Sequence, residues 1–189
     1  MGVTEKVGRE DAVRLARRHY LARERVDMQS LATELGIGRT TLYRWVGDRD
    51  GLISEVLSGM VIEVIRTATR EAEGDNLDRV LDAMRRFMET TAEFEPLRHL
   101  IQTEPELGLR VMLAPGSRVS KAITGELQAE IERSRPAWKG QKAEELSDVL
   151  TQIGMAYEWG NIAIRSEPEI DRAMRAMESL IRAADAGPS

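Results

Sequence analysis

The side chains with the most chemical capacity in this chain lie between Gln29 and Arg49, and they are hydrogen-bonding groups rather than nucleophiles. Arg39, Thr40, Thr41, Tyr43 and Arg44 crowd one short stretch, with Gln29 upstream and Trp45 and Arg49 downstream. An arginine guanidinium is a rigid fork of donors that matches two acceptors on one flat edge, as on guanine O6 and N7. Glutamine suits adenine in the same way, and a threonine methyl can meet a thymine methyl. Hydroxyls, an indole N–H and a second arginine suit phosphate oxygens, which fix position without carrying sequence information. This is the chemistry of recognition. Catalysis would call on groups that are scarce here. There is no cysteine, so thiolate nucleophiles, disulfides and cysteine-held zinc are excluded. The two histidines, His19 and His99, are far apart, and neither has a carboxylate at the Glu-x-x-His spacing of a metal-binding bundle. We expect no catalytic residues, no metal and no cofactor.

These residues must be positioned by helices. Sustained period-two alternation is missing, and apolar residues recur at helical spacing between sparse breakers such as Gly36, Gly47, Gly74, Pro96, Pro105, Pro115, Gly140 and Pro168. The expected class is all-α. Helices are expected from Arg9 to Arg25, with Val13, Ala16, Tyr20 and Leu21 inward, from Met28 to Leu35 behind an Asp27 cap, and from Arg39 to Val46. A long one capped by Asp48 reaches Glu73. Beyond Gly74 come Asn76 to Phe94, two short helices broken near Pro105, Arg118 to Arg133, Gln141 to Ser166 and Glu167 to Asp185.

With 42% apolar and 31% charged residues, the chain can bury a core and remain soluble. No apolar run approaches the ~18 residues of a membrane span, and the first residues are polar, unlike a secretory signal. A cytoplasmic protein with no membrane partner is expected. The net charge of −5 is uneven: residues 1–50 carry ten basic and eight acidic side chains, so the remainder is strongly acidic. A mildly basic head on an acidic body suits a protein that puts only its head on nucleic acid.

The run from Met28 to Gly47 has the geometry of a helix-turn-helix. Leu31 and Leu35 face inward, Ala32 is small where the helices approach, and Gly36 suits a left-handed turn. Ile37 fills the corner and Leu42 ties the second helix to the core, leaving its polar side free to enter a major groove. The residues Leu31-Ala32, Leu35-Gly36-Ile37, Thr41-Leu42-Tyr43-Arg44 and Asp48-Arg49-Asp50-Gly51-Leu52 resemble the DNA-binding signature of the TetR family over about residues 9–55. Three departures stand out. Trp45-Val46 replaces a frequent His-Phe, Arg49 replaces the lysine that usually opens the fourth helix, and the first turn lacks its frequent glycine. The Trp-Val-Gly-Asp-Arg variant resembles the QsdR-like subgroup, which implies a lactone-type or acyl-type effector.

The resemblance implies a three-helix helix-turn-helix domain, residues 1–50, joined by a long helix to a larger helical effector-binding and dimerisation domain, residues 51–189. Its partners would be double-stranded DNA, a small-molecule effector and a second copy of the chain. By matching position and chemistry, Gln29, Arg39, Thr40 and Arg44 are candidates to read bases, and Thr41, Tyr43, Trp45 and Arg49 to hold phosphates. Met84, Phe87, Met88, His99, Met112, Met155 and Tyr157 are candidate walls of an effector pocket. Val149, Ile153, Gly160, Ile164, Met174, Met177 and Ile181 are candidates for a dimer interface. A stripe at helical spacing is equally consistent with core inside one subunit. Two rival classes remain open: a DNA-binding regulator without an effector, and a helical-bundle enzyme, which no visible catalytic cluster supports.

Overall fold

A computed structural model describes residues 7–114 and 116–186. The predicted break at Pro115 and two charges of the head, Glu5 and Lys6, lie outside the described residues. Those described are helical, with no strand. The chain divides into two compact units, one ending at Leu57 and the other beginning at Ser58.

The first unit contains α1 (Arg9–Leu21), α2 (Met28–Glu34), α3 (Arg39–Val46) and the opening turns of α4 (Arg49–Glu71). α1 buries Ala12, Leu15, Ala16 and Tyr20, while the expected inward residues Val13 and Leu21 are half-buried and exposed. It stops at Leu21 rather than Arg25 because Arg23 adopts φ +58°. Arg23 N–H then donates to Tyr20 O and Glu24 N–H to His19 O, closing a Schellman turn. Arg23 therefore occupies the left-handed position where a glycine would be unstrained. The turn after α2 has the same form, with Gly36 at φ +66°, Gly36 N–H on Thr33 O and Ile37 N–H on Ala32 O. Asp27 caps α2 by accepting from Gln29 N–H at 3.0 Å and Ser30 N–H at 2.9 Å. Those bonds hold the Asp27 carboxyl below its usual range. Asp48 likewise accepts from Gly51 N–H at 2.8 Å at the start of α4.

The second unit holds the rest of α4, then α5 (Asn76–Ala92), α6 (Glu95–Thr103), α7 (Pro105–Leu113), α8 (Arg118–Ser134) and a 3₁₀ turn (Pro136–Trp138). α9 (Gln141–Met155), a π-helical turn (Ala156–Gly160), α10 (Asn161–Ala163) and α11 (Ile170–Ala186) complete it. Pro96 and Pro105 sit in the first turns of α6 and α7, where the missing N–H has no helical partner to lose. The helix expected over 141–166 is interrupted by the π turn and ends at Ala163, after which Arg165 takes φ +61°. α11 starts at Ile170 rather than Glu167, since the residue before Pro168 disfavours helix.

The core of this unit forms where α5 packs on α8 and α11, and α9 on α8 and α11. α5 contributes Val80, Ala83, Met84, Phe87 and Met88, all buried. Ionic ties fasten α4 and α5 to α8. Arg66 meets Glu126 at 2.7 Å. Arg79 of α5 donates to Thr69 O in the last turn of α4 at 2.6 Å and to Ala72 O just beyond it, and its Nε reaches Glu130 at 3.2 Å. Glu130 is fully buried and is also met by Arg133.

Candidate functional site

Burial on α3 is confined to Leu42 and Val46, one turn apart on a single stripe. The remaining surface of the helix is polar. Arg39, Thr40, Tyr43 and Arg44 are exposed, and Thr41 and Trp45 are half-buried. The Arg39 guanidinium lies 5.5 Å from the Tyr43 ring centre and donates to the Tyr43 hydroxyl at 3.3 Å. Gln29 is exposed in the first turn of α2.

Arg9, which sequence reasoning passed over, secures the end of α3. Its Nε donates to Trp45 O at 2.9 Å and its terminal nitrogen meets Glu55 at 2.5 Å. A second tie joins α1 to α2, where Glu34 takes Arg18 at 3.2 Å and His19 Nε2 at 3.0 Å. Arg49 is half-buried with Nε on Val26 O at 2.6 Å, so it braces the loop before α2. Leu31, Ala32 and Leu42 are buried, and Leu35 and Ile37 half-buried, at the elbow between the two short helices. The unit thus presents a stiffly mounted helix whose outer face is made of donors.

The body distributes its candidates differently from expectation. Met84, Phe87, Met88, Met112 and Met155 are buried, at most 4% exposed. Three methionines converge on one spot: a Cβ built on Gly154 would lie 3.2 Å from Met177 Cε, 3.7 Å from Met84 Cε and 3.7 Å from Met88 Sδ. His99 does not join them. It is exposed, because α6 turns Leu97, Leu100 and Ile101 inward and leaves position 99 outside. Tyr157 is half-buried under Arg172, whose guanidinium stands 5.5 Å from the ring centre.

The stripe on α11 is likewise spent inside the subunit. Met174, Met177 and Ile181 are buried because α11 packs on α5 and α9, so they do not lie on an outer face. Val149 and Ile164 are 45% and 76% exposed, with Ile153 and Gly160 half-buried between them.

Besides Glu130, a second buried carboxyl was missed in the sequence. Glu158, on the π turn, is 1% exposed, and its carboxyl lies 2.7 Å from the Thr91 hydroxyl. The signal was available, since Leu146, Leu150, Gly154 and Glu158 fall in one row of four-residue steps.

Comparisons with known proteins fit this arrangement. Residues 73–182 match the family model described as the tetracyclin repressor-like C-terminal domain. The transcriptional repressor QsdR of R. erythropolis superposes with a TM-score of 0.85 at 30% identity, covering 91% of this chain and 93% of that one. The chain belongs to the TetR family. AlkX, a TetR-family repressor from Dietzia sp. strain DQ12-45-1b, shares the fold at TM-score 0.67 and 20% identity over 93% of this chain and 94% of its own. A putative transcriptional regulator from Pseudomonas aeruginosa PAO1 has a TM-score of 0.50 at 14% identity, over 95% and 88%. No curated protein matches by sequence. As a TetR-family chain it combines a helical DNA-binding head with a helical ligand-binding body, and QsdR and AlkX among its structural neighbours are repressors. Regulators of the family are in general not enzymes. No described helix is long and apolar enough to cross a membrane.

Proposed function

We propose that this protein is a cytoplasmic repressor that binds a pseudo-palindromic operator as a homodimer and is released by a small, mostly apolar effector. The observation that carries the reading is the division of α3 into a two-residue buried stripe and an exposed face of donors. On that face Arg39, Thr40 and Arg44, with Gln29 of α2, read base edges. Thr41, Tyr43, Trp45 and Arg49 hold phosphates on either side. Two heads related by a two-fold axis place two such helices about 34–36 Å apart, one turn of the duplex. The resemblance of the Trp-Val-Gly-Asp-Arg run to the QsdR-like subgroup favours a lactone-type or acyl-type effector, and α4 is the element through which occupancy would reach the head.

Effector release follows from linkage. A ligand that prefers a body conformation unfavourable to DNA binding weakens operator affinity by the factor that operator weakens ligand affinity. The test is fluorescence anisotropy on DNA flanking the gene, against scrambled DNA, over a salt series and with a panel of lactones and acyl compounds. Saturable, salt-dependent binding with a large specific-to-random ratio, reversed by one panel member, is the expected result. Binding to both DNAs alike would overturn the operator reading.

The close packing of Met84, Met88 and Met177 around Gly154 favours a second reading, a regulator whose body takes no small molecule. Operator binding that no compound in the panel alters would support it.

A further inference from the structure

Glu158 is a group that the DNA-binding reading leaves without a use. The π turn carries it inward together with Trp159, and both are 1% exposed. Single π turns inside α-helices are rare and concentrate at functional sites. This one packs against α5, α7 and α11, in the interior of the body. A buried carboxyl without a cation is costly, and ionisation is the costliest part. Among the described residues its only side-chain partner is the Thr91 hydroxyl at 2.7 Å, and no cation acts on it. Burial accordingly pushes the carboxyl well above the ordinary carboxylate range, which favours its neutral form.

The neutral pair can serve either kind of uncharged head group. Thr91 Oγ1 lies 2.8 Å from Phe87 O, within its own helix. When Thr91 donates there, Glu158 donates to Thr91 and its second oxygen is left as an acceptor. When Thr91 turns its proton to Glu158, the acid's own proton becomes the donor. Phe87 O loses little in that exchange, because it keeps the position of an i→i−4 helical acceptor. One turn before Glu158, Gly154 and the tips of Met84, Met88 and Met177 make a soft apolar wall. Unbranched thioether side chains repack at low cost.

We infer that Glu158 and Thr91 form the polar anchor of a ligand site where the π turn packs on α5, which takes an uncharged, mostly apolar molecule with one hydroxyl or carbonyl head group. The inference rests on the ligand-responsive reading and specifies its ligand class. The tail displaces the methionine tips from the space beside Gly154, and the head group meets the acid. Anionic and cationic head groups are disfavoured for different reasons. An anion would be buried with no positive partner, and a cation would have to displace the proton of Glu158 before it could pair with the carboxylate.

The test uses the full-length protein and three probes of equal chain length, decanol, decanoate and decylamine, read by ligand-induced shift in melting temperature. Decanol is expected to stabilise the protein, and the two charged probes to leave it unchanged at the same concentration. Glu158→Gln, which keeps an uncharged donor and acceptor, should retain the decanol shift. Glu158→Leu should weaken decanol binding by about tenfold or more. Thr91→Val provides a second variant with the same expectation should the leucine variant not fold. Decanol binding unchanged in both Glu158→Leu and Thr91→Val, or decylamine binding more tightly than decanol, would overturn the assignment. Operator anisotropy separates this from the broader reading. Decanol that binds wild type but leaves operator affinity unchanged removes the effector role and keeps the site. Release that persists in Glu158→Leu and Thr91→Val removes the site and keeps the effector role.

Discussion

Glu158 ties the protein's stability to pH in an unusual direction for a carboxylate. Its proton is held more tightly in the folded chain than in the unfolded one, because burial outweighs the Thr91 hydrogen bond. Between the ordinary carboxylate range and the raised folded value, the folded state carries the extra proton. Stability from this group is therefore present at low pH and lost as pH rises through that window. Glu158→Gln removes the titration, so urea unfolding from pH 5 to pH 8 should show the variant gaining on wild type as pH rises; parallel curves would show that Glu158 does not titrate there. On α3, the proposed recognition helix, the expected effects are separable by sequence. Arg44→Ala should cost specific binding about 1–3 kcal/mol and relax preference at one operator position, while random DNA is bound nearly as before. Competition binding with operators substituted one position at a time measures both. The residues of the helix-turn-helix were legible because sterics dictates them: Leu31, Ala32, Gly36 and Leu42 can be read from spacing alone. Glu158 was not, because a charged residue in an apolar row reads as an interruption, although its four-residue step from Gly154 placed it inward.

The turns of the head show which helix ends carry strain. Arg23 and Gly36 close the same kind of turn, yet only the glycine has no Cβ penalty in the left-handed region. Arg23→Gly should therefore stabilise the protein, and Gly36→Ala destabilise it, each by about 1 kcal/mol in denaturant unfolding. A Cβ at Gly36 would meet nothing within 4 Å, so the cost there is conformational rather than steric. Helix boundaries set by side-chain caps, at Asp27 and Asp48, were legible in the sequence. The end of α1 was not, because nothing in the residue type announces an arginine at φ +58°. The π turn escaped for a related reason: the apolar pattern of α9 continues through it, and the extra residue changes hydrogen bonding before it changes periodicity. In the body, Arg79 satisfies a carbonyl in the last turn of α4 while pairing with the buried Glu130. Arg79→Ala removes both and leaves Glu130 with Arg133, so a loss of about 3 kcal/mol is expected in urea unfolding. Arg79→Lys, which lacks the guanidinium fork, should recover only part of it.

For the whole molecule, assembly would decide whether one head or two meet the proposed operator. Apolar patterning alone had offered both α9 and α11 as interface, because a buried stripe and an intersubunit stripe have the same period. Burial separates them: Met174, Met177 and Ile181 are sealed within the subunit, whereas Val149 and Ile164 are exposed on it. Ile153, Ala156 and Gly160 fall between them at steps of three and four, a strip of small and apolar residues. The proposed dimer therefore rests on α9, the π turn and α10. The double variant Val149→Glu, Ile164→Glu places two like charges in that strip and opposes them to their own copies across a two-fold axis. It should sediment as a folded monomer and lose operator affinity by about a hundredfold or more, since the second head no longer binds as part of the same molecule. Met177→Ala is the contrasting change. It opens space beside Gly154 and should cost about 2–5 kcal/mol of folding stability while the chain remains dimeric. If the double variant stays dimeric with full operator affinity while Met177→Ala dissociates, the interface lies on α11 after all, and the packing of that helix within one subunit must rearrange when two copies meet.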